Sequence, residues 1–223
     1  MSKLTKLDTF LQSIQDYIRN GYTQYITRQV ASESELDALA RKNCAIWRTE
    51  LNASGRYKAL RRGESTAVQI SYVSRYGKAF YSVLLVKPGK DYEILSEGLP
   101  FLDANKQHSR LTIFGYEIYH DGISWTWRMN SKEIDRLNKI IENLARKPAK
   151  LHSLTQDENG TRDTKAEEIQ NNLYSRPGFR GVNRQIGILI SKLRGEWNRY
   201  QSSNPIKPTE RTYLKFMRRV KRA

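Results

Sequence analysis

Apolar residues return every three or four positions from the start of the chain: Leu4, Leu7, Leu11, Ile14, Ile18, Tyr22 and Tyr25. That spacing puts them on one face of a helix, with Gly21 as its weak point. Ser32 or Ser34 is placed to cap a second helix, and Glu33, Glu35 and Asp37 suit the positive end of its dipole. Leu36, Leu39, Ala40, Trp47 and Leu51 form its inner stripe, and Asn52 to Gly55 ends it. A short basic run follows, Arg56, Lys58, Arg61 and Arg62.

From Glu64 to Asn130 the chain reads as strands. Val68–Val73 and Ala79–Val86 are rich in β-branched and aromatic residues. The turn Tyr76-Gly77-Lys78 joins them, and Pro88-Gly89 stops the second. Leu111 to Tyr119 alternates, His120-Asp121-Gly122 is a tight-turn signal, and Ile123–Met129 returns with Trp125 and Trp127 on one face. Two hairpins make a small antiparallel sheet, which needs helices to cover it.

Ser131, as an N-cap, opens the next helix, with Ile134, Leu137, Ile140, Ile141 and Leu144 on its inner face. It ends near Lys147-Pro148 and, as a sequence neighbour, is the first candidate to cover the sheet. Residues 148–162 are polar and read as a linker. Val182, Ile186, Leu189, Leu193, Trp197 and Tyr200 then recur at three and four, in a long amphipathic helix. Pro205 and Pro208 break the pattern, and Thr209 caps a last helix with Tyr213, Phe216, Met217 and Val220 on one side. The expected architecture is α+β: a 1–147 domain with two N-terminal helices, two hairpins and one covering helix; a 148–162 linker; and a basic helical region, 163–223.

Charge changes this picture most. Residues 171–223 carry 13 Lys or Arg and only two acids, Glu196 and Glu210, within a chain of net charge +16. An ordinary solvated helix mixes signs, whereas a one-signed excess suits a polyanion. The candidate contacts are Arg176, Arg180, Arg184, Lys192, Arg194, Arg199, Arg211, Lys215, Arg218, Arg219, Lys221 and Arg222. A secondary set comprises Arg61, Arg62, Arg75 and Lys78. Asn183 and Gln185 beside Arg180 and Arg184 are types that read base edges. In Arg176-Pro177-Gly178-Phe179-Arg180-Gly181, the glycines either let backbone N–H groups approach a phosphate or simply shape the start of the helix.

Candidate chemistry is sparse. One cysteine, Cys44, excludes an internal disulfide and reads as a buried thiol. Three scattered histidines, His108, His120 and His152, with that cysteine do not make a zinc site. No phosphate-binding glycine loop or nucleophile elbow is present. Tyr116, Tyr119, His120 and Asp121 gather at the second hairpin and are the one place for a tyrosine-based nicking site; strand and turn chemistry is the stronger explanation of them. No metal and no cofactor are expected. No apolar run is long enough to span a membrane; the basic helices still suit an anionic lipid surface.

The expectation is a non-catalytic nucleic-acid-binding accessory or regulatory protein working with a larger protein machine. Duplex DNA is favoured over RNA, because long basic helices fit the wide major groove. The alternatives are an RNA-binding component of a ribonucleoprotein and a DNA-nicking enzyme. The expected location is cytoplasmic or nucleoid-associated, or nuclear in a eukaryote.

Overall fold

The computed structural model describes residues 3–74, 79–146 and 165–200. The Tyr76–Lys78 turn, the 148–162 linker and the last helix lie outside the described residues. So do Arg75, Lys78, Arg211, Lys215, Arg218, Arg219, Lys221 and Arg222.

The protein is α+β. Its described part forms two compact units, one of residues 3–111 with Ile118–Thr126, the other of Thr112–Glu117 with residues 127–200. In the first unit, α1 (Leu7–Arg19) runs into β2 (Gln24–Val30). The helix therefore stops well before Tyr22 and Tyr25, which continue its apolar spacing. The cause is Gly21, whose φ of 89° is left-handed. Its N–H bonds to Ile18 O at 3.0 Å and the Tyr22 N–H to Tyr17 O at 3.1 Å, the two bonds of a Schellman cap. The Tyr17 and Tyr22 rings, 5.3 Å apart, supply the hydrophobic contact that accompanies such a cap. Beyond it, Tyr25, Ile26, Thr27 and Val30 favour a strand.

Ser32 caps α2 (Glu33–Trp47), its hydroxyl accepting from the Glu35 N–H at 3.2 Å. Asn52 does not merely end α2. It caps a further helix, α3 (Ala53–Arg61), by accepting from the Gly55 N–H at 2.8 Å. The basic run after residue 55 is thus helical through Arg61.

A sheet with strand order β1-β3-β4-β2-β5 forms the centre. β3 (Thr66–Val73) pairs antiparallel with β4 (Phe80–Lys87), and β4 pairs antiparallel with β2. β1 (Lys3–Leu4) adds in parallel beside Ser71 and Tyr72, and β5 (Leu102–Asp103) flanks β2. Both faces are covered. Phe10 of α1 stacks on Tyr72 at 5.3 Å, and Tyr22 Oη accepts from Thr66 Oγ1 at 3.1 Å. On the other face, Trp47 of α2 packs with Ala67, Leu84 and Val86, joined by Tyr92 and Leu95 of α4 (Tyr92–Ser96). Two covered faces explain why Val83–Val86 is buried without alternation. After β4, Gly89 lies so close to the backbone of Glu64 and Ser65 that no side chain fits there.

The second hairpin does not extend this sheet. It belongs to a separate one of order β6-β7-β8, built from Thr112–Ile113, Tyr116–His120 and Trp125–Met129. The alternating run Leu111–Tyr119 is broken at Phe114 and Gly115, whose φ of 51° and 80° make a two-residue type I′ connection between β6 and β7.

In the second unit, α5 (Ser131–Arg146) is capped by Asn130 rather than Ser131. Asn130 Oδ1 accepts from the Glu133 N–H at 2.9 Å. The principal partners of α5 are α7 (Arg180–Tyr200) and α6 (Lys165–Tyr174), so the role of covering the large sheet falls to α1 and α2 instead. Leu137, Ile141 and Leu144 of α5 are buried, as are Leu173 of α6 and Val182, Ile186, Leu189, Leu193 and Trp197 of α7. Each large apolar side chain hidden in this way contributes roughly 1.5–3 kcal/mol of transfer free energy. Tyr200, the last member of the sequence stripe, is 44% exposed.

Candidate nucleic-acid interface

The apolar stripe of α7 fixes how the helix is turned, and the turn sorts its polar residues into two groups. Arg184, Ser191, Arg194 and Asn198 face solvent, together with Gly187, Ile188 and Gly195. A Cβ built on Gly187 or Gly195 meets no atom within 4 Å, so packing within the protein does not require either glycine. Each costs about 1 kcal/mol of helix propensity relative to Ala.

Arg176, Lys192 and Arg199 are engaged by acids. Arg176, in the turn before α7, has a side chain only 16% exposed, and its Nη2 pairs with Glu133 Oε1 at 2.6 Å. Its Nη1 reaches Tyr116 Oη at 3.4 Å and Met129 Sδ at 3.3 Å. Glu133 is also held by Arg136 at 2.8 Å. Arg136 first, and Arg176 after it, hold the Glu133 carboxyl below the usual carboxylate range. Lys192 Nζ pairs with Glu142 Oε1 at 2.7 Å and donates to Asn138 Oδ1 at 3.1 Å, tying α7 to α5. Glu142 is lowered in turn, chiefly by the bond from Lys192. Arg199 pairs with Glu196 at 3.1 Å but stays 66% exposed. Arg180 is half-buried. Arg184 and Arg194 are exposed on the solvent face of α7.

The two amides that sequence singled out for base reading are both committed to the fold. Gln185 Oε1 accepts from the Met129 N–H at 2.6 Å, and Gln185 Nε2 donates to Met129 O at 2.9 Å. It thereby satisfies both backbone groups of a residue on β8, a strand at the edge of its sheet. Asn183 is 8% exposed and points inward. The turn ahead of α7 is closed as well. Pro177, Gly178, Phe179 and Gly181 are buried, and Phe179 packs on Trp127 with ring centres 6.5 Å apart. Those glycines shape the start of the helix; they do not hold its N–H groups open to a phosphate.

On the first unit, Arg61 is exposed at the end of α3. Arg62 is taken by Glu64 at 2.6 Å, and Glu64 also receives Arg48 at 2.9 Å. Arg62 first, then Arg48, hold the Glu64 carboxyl at about 2.

The tyrosine cluster lies on β7 and the turn that follows it. Tyr116 is buried. His120 Nδ1 accepts from the Gly122 N–H at 3.2 Å, and Asp121 Oδ1 accepts from the N–H groups of Ile123 at 3.1 Å and Ser124 at 3.0 Å. Cys44 is half-buried rather than buried; its thiol donates to Glu50 Oε2 at 2.7 Å, and that bond raises its pKa above the ordinary thiol value. Among the described residues, no group of three or more His, Cys, Asp or Glu is arranged to hold a metal ion, and no helix is long and apolar enough to cross a membrane.

No protein-family model, curated protein or solved structure matches the chain.

Proposed function

We propose that this is a non-catalytic nucleic-acid-binding protein of the accessory or regulatory kind, acting beside a larger protein machine. Its preferred partner is duplex DNA. The observation that carries the reading is the charge imbalance of residues 171–223, 13 basic side chains against two acids. The orientation of α7 supports it. A helix anchored by a buried stripe carries Arg184 and Arg194 on its exposed face. Seven further cations, from Lys207 to Arg222, follow in sequence. Cations held this way neutralise phosphates and release condensed counterions. Arg176 and Lys192 are left out of the interface, because Glu133 and Glu142 already neutralise them.

The test is a pair of double variants. Arg184→Glu with Arg194→Glu is expected to weaken binding of a fluorescent duplex by roughly tenfold or more near 100 mM salt. Arg176→Glu with Lys192→Glu is expected to lower the melting temperature instead. If the Arg184/Arg194 variant binds like the parent protein, α7 is not the interface. Tighter binding of structured RNA than of duplex DNA in competition would move the assignment to RNA.

A further inference from the structure

We infer that the protein takes an extended segment of a partner protein as an added strand beside β2, with an acidic residue of that segment set against Arg28. The inference goes beyond the proposed function and uses only the first unit. β5 pairs with β2 at Gln24 and Tyr25 alone. The Ala104 N–H bonds to Thr23 O at 2.9 Å, so odd-numbered residues of β2 direct their N–H and C=O groups to this side and even-numbered ones to β4. The same register sets Pro100 opposite Thr27. Proline has no N–H to give, and the ladder stops there. Among the described residues, no strand continues it beside residues 26–30. Thr27, Arg28 and Gln29 are exposed, and the backbone groups of Thr27 and Gln29 form a short template for strand addition.

A cavity beside this edge supplies selectivity. It lies between β2, β4 and α2, holds about 60 Å³, and has Ile26, Leu39, Ile46, Trp47 and Leu99 in its walls. Benzene occupies an apolar cavity of roughly 150 Å³, so this one suits part of a side chain and not a separate ligand. Arg28 and Lys42, both exposed, also line it. In an added strand, the residue opposite Arg28 points to the same side of the sheet as Arg28. A glutamate there would lay its methylenes against the apolar wall and bring its carboxylate to the two cations. A second copy of this chain fits poorly. Two β2 edges paired about a two-fold axis at Arg28 would set the arginines against each other, and like charges directly opposite are destabilising.

The experiment titrates the isotope-labelled full chain with a capped peptide of about ten residues, threonine and valine in alternation around a central glutamate, and with its central-lysine counterpart. Hydrogen exchange at the Thr27 and Gln29 amides is followed by NMR. In the free protein both are expected to exchange readily, while the Ile26 and Arg28 amides are protected by β4. Saturation with the glutamate peptide is expected to slow Thr27 and Gln29 by about tenfold or more. The lysine peptide is expected to bind at least about tenfold more weakly. Arg28→Glu with Lys42→Glu, at two exposed positions, is expected to reverse that order. Thr27 and Gln29 amides already protected in the dilute free protein would show the edge covered by its own chain and overturn the inference. Protection that grows with protein concentration alone would assign the edge to a second copy and overturn it too. So would binding of neither peptide, or equal binding of both. No readout involves nucleic acid, so each of these results leaves the proposed function standing.

Discussion

Gly21 decides where the first helix ends, and a single methyl group tests that role. An L-residue at φ 89° is strained by roughly 1–2 kcal/mol relative to glycine. The added Cβ itself would meet only the flexible end of Lys87, so the cost is one of backbone conformation, not of space. Gly21→Ala is therefore expected to lower the melting temperature by a few degrees without altering the far-ultraviolet spectrum. An unchanged melt would mean that the Schellman cap contributes nothing measurable. This residue was visible in the sequence as a break, but its consequence was not. Apolar spacing carried on through Tyr22 and Tyr25, and only the left-handed turn moves those side chains from helix to strand. Gln185 gives the complementary case. Its type suggested base reading, and nothing in the local pattern announces that Met129, 56 positions earlier, needs both halves of its amide.

At the scale of elements, the long periodic segments were legible and the short ones were not. The stripes of α1, α2, α5 and α7, the β3–β4 pair and the Ser32 cap all follow from spacing and cap chemistry. β1 and β5, two residues each, carry no periodic signal. α3 is not announced by the sequence, because Asn52 to Gly55 looks like a helix end and an N-cap uses the same residue types. The sequence neighbour rule placed α5 over the sheet, but its apolar face goes to α6 and α7, elements that come later in the chain.

The ion pairs that fasten α7 in its unit make acid sensitivity an element-scale prediction. Glu133 titrates lower in the folded state, held by Arg136 and Arg176. Its contribution is therefore complete above the ordinary carboxylate value of about 4.3 and is lost as pH falls through the folded value. Glu142 acts in the same direction through Lys192. Melting curves from pH 7 to pH 2 are expected to show a steep loss of stability below about pH 4.5 that is shallower in Glu133→Gln. Equal pH dependence in both proteins would show that the Arg176–Glu133–Arg136 group does not couple to folding.

For the whole molecule, net charge +16 is a property that any fold of this sequence would keep; what the fold adds is direction. Charge counting in residues 171–223 does not separate one candidate cation from another. Among the described residues, burial and ion pairing do: Arg176 is a largely buried fastener, Lys192 and Arg199 share their charge with Glu142 and Glu196 nearer the surface, and Arg184 and Arg194 lie on the exposed face. That separation depends on where Glu133 and Glu142 arrive in space, which spacing within one helix does not reveal. The central claim is that these outward cations meet phosphates. The most direct measurement is the salt dependence of duplex DNA binding by the full chain, followed by fluorescence anisotropy between 50 and 200 mM monovalent salt. With roughly six phosphates neutralised, the account predicts a straight log–log plot and about a 10³-fold loss of affinity over that range. Less than about a tenfold change, or no binding at 50 mM, would contradict it.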